Sequence, residues 1–151
     1  MAPHAKDEGL PEAPPRGEAF RMALSGYPRS PRLLASLARC LAADGRIEEA
    51  LECVLSSLEL DPGRPHLLLR AGDYFALLGR FEEAVRFYEH YQSLRPSSPR
   101  GYARMGDCLR RAGYAWSAAD AYSLALSRSP DSCELKRRVR EVMRLCAPDL
   151  A

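Results

Sequence analysis

The chain has 151 residues, 46% of them apolar and 28% charged, which suffices for one globular domain with its own core. Its net charge of +2 gives no electrostatic reason to bind nucleic acid or an anionic membrane. The five cysteines contain no C-x-x-C pair, so they spell neither a zinc site nor a redox motif and favour a reducing compartment.

The N-terminal stretch "MAPHAKDEGLPEAPP", residues 1–15, carries four prolines and little that could be buried. It has no apolar segment of the kind found in a secretory signal, and no run in the chain approaches the length of a membrane span. We therefore predict a flexible tail at 1–15, a second short tail at 147–151, and a cytoplasmic protein.

A period of 34 residues runs through the rest of the chain and recurs in several residue types, which separates a true repeat from scattered prolines. Laid over one another, the blocks "GRIEEALECVLSSLELDP", "GRFEEAVRFYEHYQSLRP" and "GYAWSAADAYSLALSRSP" align without a gap. The positions that keep the period are Pro28, Pro62, Pro96 and Pro130; Gly45, Gly79 and Gly113; and Ala50, Ala84 and Ala118.

Apolar residues within each block have helical spacing, as in Leu34, Leu37 and Leu41, so each repeat is predicted to contain two helices. A glycine ends the first helix in the left-handed conformation, and prolines end the second helix and begin the next. The P-x-x-P of "PGRP" is therefore helix punctuation rather than a polyproline ligand. Helices are predicted near 31–44, 47–60, 65–78, 81–94, 99–112 and 115–128.

The two ends complete the arrangement. Phe20, Ala23 and Pro28 in "EAFRMALSGYP" keep the register of a second helix, so a half-repeat precedes the first full one. In "DSCELKRRVREVMRLC" one side is apolar and the other charged, as a helix capping an open solenoid end requires. The predicted domain spans 16–146, with a half-repeat at 16–30, repeats at 31–64, 65–98 and 99–132, and a capping helix at 133–146.

These blocks resemble the tetratricopeptide repeat, whose signature is a small residue early, Ala in the second helix, an aromatic after it and Pro at the end. The second repeat matches with Gly72, Ala84, Tyr88 and Pro96, and the third with Gly106, Ala118, Tyr122, Ala125 and Pro130. The resemblance implies an all-α, right-handed superhelix of three helical hairpins. Tyr91 departs from the pattern by occupying the register of Ser57 and Ala125, and we expect this ring to open the packing locally.

No arrangement of residues indicates catalysis. His4 lies in the tail, His66 and His90 have no Cys or Asp at a ligand spacing, and no phosphate-binding glycine loop is present in the sequence. We therefore expect a binding module and not an enzyme, with no metal or other cofactor. The basic run "KRRVR", 136–140, is interpreted as a solvated face of the capping helix.

In tetratricopeptide folds the first helix of each repeat lines a concave groove that holds a peptide. The resemblance places in this groove Arg32, Ala35, Arg39, Leu69, Asp73, Ala76, Leu77, Arg100, Ala103, Arg104, Asp107, Arg110 and Arg111. Because arginines outnumber aspartates around an apolar floor, the expected client carries one or two apolar anchors flanked by acidic residues.

Some members bind a C-terminal carboxylate of heat-shock chaperones through Lys, Asn, Asn, Lys and Arg. At those registers this chain has Ala35, Arg39, Asp73, Arg100 and Arg104, and Asp73 would repel a carboxylate. The plan of 16–146 is more similar to the LcrH/SycD class of type III secretion translocator chaperones, which consist of three such repeats. "GRIEEA", "GDCL" and "ELKRRVREV" carry that similarity, although Ala35 and Arg39 stand where that class often has tyrosines.

Two functions remain open at this point. The protein is either a cytoplasmic chaperone that holds a segment of a secreted client, or a scaffold that joins two partners of another bacterial complex. Tyr114 and Trp116 lie at the start of a second helix, away from the groove, and either cover the neighbouring repeat or form a homodimer interface.

Overall fold

The structure, a computed structural model, describes residues 16–27 and 29–147, and within these ranges every regular element is an α-helix. The predicted helices are confirmed to within one or two residues, and the all-α class with them. Their bounds are α1 Arg16–Gly26, α2 Pro31–Ala43, α3 Ile47–Leu60, α4 Pro65–Leu77, α5 Phe81–Leu94, α6 Arg100–Arg111, α7 Ala115–Arg128 and α8 Cys133–Cys146.

Tight turns join the two helices of each repeat. Gly45, Gly79 and Gly113 follow α2, α4 and α6 with φ of 78°, 76° and 90°, which only glycine adopts without strain. Pro31 and Pro65 stand in the first turn of α2 and α4, where the missing N–H has no intrahelical acceptor to lose. The chain therefore folds into the hairpins α2–α3, α4–α5 and α6–α7, as predicted.

An alanine lies in the contact between the two helices of each hairpin. Ala50, Ala84 and Ala118 are fully buried, and their small side chains let the two helix backbones approach closely. A core of buried residues runs from Leu37 in α2 to Cys108 in α6, and a second group joins α7 to α8 through Tyr122 and Val142. The apolar side of α8 is buried at Leu135 and Val142, so the predicted capping helix is confirmed.

Tyr91 does not open the packing, contrary to the expectation from its register. Its ring is only 5% exposed, and the space comes from Gly101 on the facing helix. A Cβ at position 101 would lie 3.0 Å from the Tyr91 ring and 2.5 Å from the side-chain oxygen of Gln92. The corresponding facing pairs are Ser57 with Leu67 and Ala125 with Leu135, so large and small residues have exchanged sides.

No helix within 16–27 and 29–147 is both long and apolar enough to cross a membrane. The predicted tail at 1–15 lies outside the described residues, and so does the tail at 147–151 except for Ala147.

Candidate functional site

Three clefts lie on the side of the protein formed by α2, α4 and α6, which we call the groove face. The α2–α4 cleft has a volume of about 350 Å³ and is bordered by Arg32, Arg39 and Arg70. The Tyr91 cleft, about 320 Å³, opens between the N-terminal ends of α4 and α6. The Asp73 cleft, about 480 Å³, lies further along the same two helices.

Twelve of the thirteen residues predicted for the groove border one of these clefts. Ala103 is half-buried and borders none of them, and Ala76 is largely buried, so both contribute little surface. Leu77 is 58% exposed and presents an apolar side chain directly to solvent. The α2–α4 cleft has Arg32, Ala35 and Arg39; the Tyr91 cleft has Leu69 and Arg100; the Asp73 cleft has Asp73, Ala76, Leu77, Arg104, Asp107, Arg110 and Arg111.

A repeated polar network, which we call the ladder, crosses the second and third repeats. The Tyr88 hydroxyl donates to Asp73 Oδ1 at 2.9 Å, and the Tyr122 hydroxyl donates to Asp107 Oδ1 at 2.6 Å. In each case an arginine of the next helix pair completes the group. Arg104 lies 3.5 Å from Asp73, and Arg138 of α8 donates to both oxygens of Asp107 at 3.0 and 2.8 Å.

Burial dominates the electrostatics of the ladder. Loss of solvent raises the pKa of Asp73, and Arg104 and the Tyr88 hydroxyl oppose this rise without cancelling it. Burial, and then the neighbouring carboxylate Asp73, raise the pKa of Tyr88. Burial and the hydrogen bond to Asp107 raise the pKa of Tyr122 to about 12. Both phenols are therefore neutral donors at physiological pH, and both aspartates are already engaged by the protein.

The small residue and the aromatic residue of the family signature fit each other in the ladder repeats. A Cβ built on Gly72 would lie 2.5 Å from the Tyr88 ring, and one on Gly106 would lie 2.6 Å from the Tyr122 ring. In the first repeat the same two positions hold Ala38 and Val54, both fully buried. A smaller side chain on α3 thus leaves room for a larger one on α2.

Sequence reasoning missed two arginines, one in the ladder and one at the α2–α4 cleft. Arg138 was assigned to a solvated face, but it binds Asp107 across the interface between α6 and α8. Arg70 was left out of the groove, yet it borders the α2–α4 cleft. The signal was present in the period, because Arg70, Arg104 and Arg138 are spaced by 34 residues.

On the other side of the protein, Tyr114 and Trp116 border a cleft of about 310 Å³ with Leu145. Tyr114 and Trp116 are each 63% exposed, so most of both side chains faces solvent. Within the described residues no three His, Cys, Asp or Glu side chains cluster as metal ligands would.

The sequence model of the tetratricopeptide repeat matches residues 18–65 and 45–99, which together make up more than half of the chain. The chain therefore belongs to the tetratricopeptide repeat family, a class of helical-hairpin solenoids. No curated protein matches it.

Solved structures similar to this chain share its fold at low sequence identity. MamA is 16% identical with a TM-score of 0.80, covering 87% of this chain and 77% of its own. MamA from Desulfovibrio magneticus RS-1 is 16% identical with a TM-score of 0.78, covering 88% and 75%. The first repeat domain of Spaghetti (RPAP3), bound to the HSP90 peptide SRMEEVD, is 20% identical with a TM-score of 0.70, covering 78% and 93%.

Proposed function

We propose that the protein is an interaction module that holds a segment of a client protein on the groove face. The observation that carries this proposal is the row of three clefts along α2, α4 and α6, in which Leu69 and Leu77 offer apolar surface between arginines. The similar Spaghetti (RPAP3) domain binds a peptide, which supports a peptide as the ligand class here. The client segment carries apolar anchors flanked by acidic residues, matching this surface.

The cellular role that we favour is that of a cytoplasmic chaperone that holds an aggregation-prone client, in the manner of the LcrH/SycD class. Three hairpins with a preceding helix and a capping helix agree with that plan. A scaffold joining partners of another bacterial complex is the alternative. Pull-down from the native cell followed by mass spectrometry separates them, because a chaperone recovers a single secreted client and a scaffold recovers a large stable complex.

The groove face itself is tested with the recovered client and two leucine variants. Leu69→Asp places a charge on the apolar floor and should nearly abolish capture by raising the dissociation rate. Leu69 also packs against the core, so Leu77→Asp, at a side chain that is 58% exposed, serves as the second variant. Leu124→Asp, at an exposed position of α7, is the matched control. Unchanged binding by both groove variants, with wild-type helical signal, would place the client elsewhere.

The exposed arginines at the edge of the groove face are expected to act on the rate at which the client associates. Arg110 and Arg111 are exposed at the edge of the Asp73 cleft, where they attract an acidic segment over a distance limited by salt screening. Changing both to Glu should slow association and flatten its salt dependence, while the dissociation rate changes little. A dissociation rate that rises as much as the association rate falls would show that these arginines contact the client directly.

Self-association through the Tyr114 and Trp116 surface is a second proposed activity. Two exposed aromatic side chains next to exposed Leu145 form the kind of apolar patch that interfaces use. Sedimentation of the wild type should give the mass of a dimer, and Trp116→Ala should give that of a monomer. Equal masses for the two proteins would leave this patch without a role in self-association.

A further inference from the structure

The ladder is interrupted at the interface between the first and second repeats. Arg104 and Arg138 each bind an aspartate on the preceding first helix, Asp73 and Asp107. Arg70 is the equivalent arginine on α4, but the position on α2 that would hold its aspartate is occupied by Arg39. The tyrosine that would join them is replaced by Val54, so no hydroxyl is present either.

The α2–α4 cleft therefore holds more cations than carboxylates, and Asp73 acts on Arg70 only from beyond ion-pair distance. Within 16–27 and 29–147, no Asp or Glu oxygen lies within 4.0 Å of a side-chain nitrogen of Arg32, Arg39 or Arg70. Arg64, also at this cleft, has its own partner in Asp61 at 3.2 Å. Asp44 borders the neighbouring cleft between α1 and α2 together with Arg39, but makes no ion pair with it.

The arginines of the cleft also act on a histidine at its border. His66 borders the α2–α4 cleft, and its pKa is lowered first by partial burial and then by Arg64 and Arg70. Its ring is therefore neutral at pH 7 and adds hydrogen-bonding capacity without a charge. The cleft has a volume of about 350 Å³, enough for side chains of a bound segment to enter.

Guanidinium groups that converge without anions are best satisfied by carboxylates, which they can bind through two parallel hydrogen bonds. Arg32 and Arg39 lie seven residues apart on α2, which is roughly 10 Å along the helix axis. An extended chain covers that distance in about three residues. Arg70 stands on α4 in the register of Ser36, between these two arginines.

We infer that the α2–α4 cleft is the acid-binding subsite of the groove face, and that it takes an acidic peptide segment with two carboxylates about three residues apart. Arg32 binds one carboxylate, and Arg39 with Arg70 binds the other. The inference rests on the proposed function and adds the direction of the client. Its acidic end lies over α2 and α4, and its apolar anchors lie towards Leu69 and Leu77. No chain terminus is required for this recognition.

The test uses a fluorescein-labelled, end-capped nonapeptide of Gly and Ser with one Leu and two Glu three positions apart. Its anisotropy is measured with the full chain at 50 and 300 mM NaCl. Arg39→Asp, which supplies Arg70 with a carboxylate inside the protein, should weaken binding at least tenfold. Arg86→Asp, an equal change of charge at an exposed position of α5, should change it less than twofold. Arg70→Gln and Arg32→Gln repeat the test without reversing a charge.

Two control peptides determine the ligand chemistry. A version with Gln in place of Glu should bind at least tenfold more weakly, and the Glu peptide should lose affinity at 300 mM NaCl. Equal weakening by Arg39→Asp and Arg86→Asp would overturn the inference, because it would reduce the binding to net charge. A phosphoserine version that binds more than tenfold tighter than the Glu peptide would also overturn it, in favour of a phosphoryl site.

The recovered client separates failure of this inference from failure of the proposed function. A client that is lost in Leu77→Asp but unaffected by Arg39→Asp would leave the groove function intact and remove the acid subsite. The opposite result is that Arg39→Asp weakens binding of the Glu peptide while no groove variant changes binding of the client. This result would support the subsite and contradict the proposed function.

Discussion

The first repeat and the two that follow it share a backbone design but use the groove face differently. In the second and third repeats a tyrosine lies over a glycine, its hydroxyl reaches an aspartate, and an arginine of the next helix closes the group. In the first repeat the corresponding positions hold Ala38, Arg39 and Val54, and the arginine of the next helix is Arg70 on α4. In the ladder the aspartates are bound by arginines of the protein itself. In the α2–α4 cleft the arginines make no such ion pair and are available to a ligand.

The same helical hairpin thus has one structural use in the ladder and one use that we propose for ligand binding in the first repeat. The ladder joins the third repeat to α8 through partly buried charge-assisted hydrogen bonds from Arg138 to Asp107, a kind of contact that contributes roughly 1.5–3 kcal/mol. It joins the second repeat to the third through the ion pair of Arg104 with Asp73 at 3.5 Å. Removing the aspartate from the first repeat gives up such a contact and creates a local excess of positive charge. The hairpin packing that both regions share lies on the opposite side of α2 and α4, at the small residues facing the second helices.

The largest expected effect is a loss of stability when a charge is placed in the helix contact of a hairpin. Comparing this loss between the first and second repeats tests whether the two hairpins are packed equally well. Ala50→Glu in the first repeat and Ala84→Glu in the second each force a charge into a fully buried helix contact. Both should lower the stability to unfolding by roughly 4 kcal/mol or more. Urea unfolding followed by circular dichroism at 222 nm measures this. Ser123→Glu, at an exposed position of α7, should change the midpoint little; a much smaller loss for Ala50→Glu would mean that the first hairpin is packed more loosely.

The second effect concerns the tyrosine over the glycine. An exposed Gly→Ala change inside a helix normally stabilises it by about 1 kcal/mol. Gly72→Ala should instead destabilise the protein by about 1–3 kcal/mol, because the new Cβ would meet the Tyr88 ring at 2.5 Å. Adding Tyr88→Val, which copies the first repeat, should recover part of that loss. Thermal unfolding of the single and double variants gives the coupling, and a Gly72→Ala variant more stable than the wild type would contradict the assigned contact.

The third effect is a difference in stability between removing Arg138, which pairs with a carboxylate of the protein, and removing Arg70, which does not. Arg138→Gln removes two hydrogen bonds to Asp107 and leaves this half-buried carboxylate without its cation, which should cost about 1–3 kcal/mol. Arg70→Gln should change the stability by no more than about 0.5 kcal/mol, because Arg70 has no carboxylate partner among the described residues. The comparison is made by urea unfolding, and equal losses for the two variants would show that Arg70 is also paired.

The smallest effect appears at alkaline pH and concerns the ladder tyrosine Tyr122. Folding raises the pKa of Tyr122 to about 12, above the value of about 10 expected for an unfolded chain. The folded state therefore favours the neutral phenol, and this contribution to stability is present below pH 10 and is lost as the pH rises from 10 to 12. The melting temperature should fall over this range.

The decline should be smaller in Tyr122→Phe, which has no phenol to ionise at this position. Tyr114→Phe, at an exposed side chain outside the ladder, should decline like the wild type. A decline of the same size in Tyr122→Phe would assign the alkaline sensitivity to other groups, such as the remaining six of the seven tyrosines.

Sequence patterns alone predicted the helices of the described residues, their bounds to within a residue or two, and the three hairpins. These features depend on local rules: apolar spacing within one helix, glycine with positive φ after it, and proline in the first turn of the next. The 34-residue period carried them along the chain, so a single sequence contained the same information several times. The proposed groove residues followed from the resemblance to the tetratricopeptide repeat, and twelve of them border clefts.

The pairing of side chains between helices is visible only in the folded protein. Tyr88 meets Asp73 fifteen residues away, and Arg138 meets Asp107 thirty-one residues away, because neighbouring helices bring them to one surface. Gly101 makes room for Tyr91 across an interface that no local pattern describes. A charge is neutralised, and a large side chain is accommodated, by a residue that is near it in space. The sequence shows which residues are present but not which of them lie next to each other. The arginines of the α2–α4 cleft could be identified as lacking ion-pair partners only when the partners of the other arginines were known.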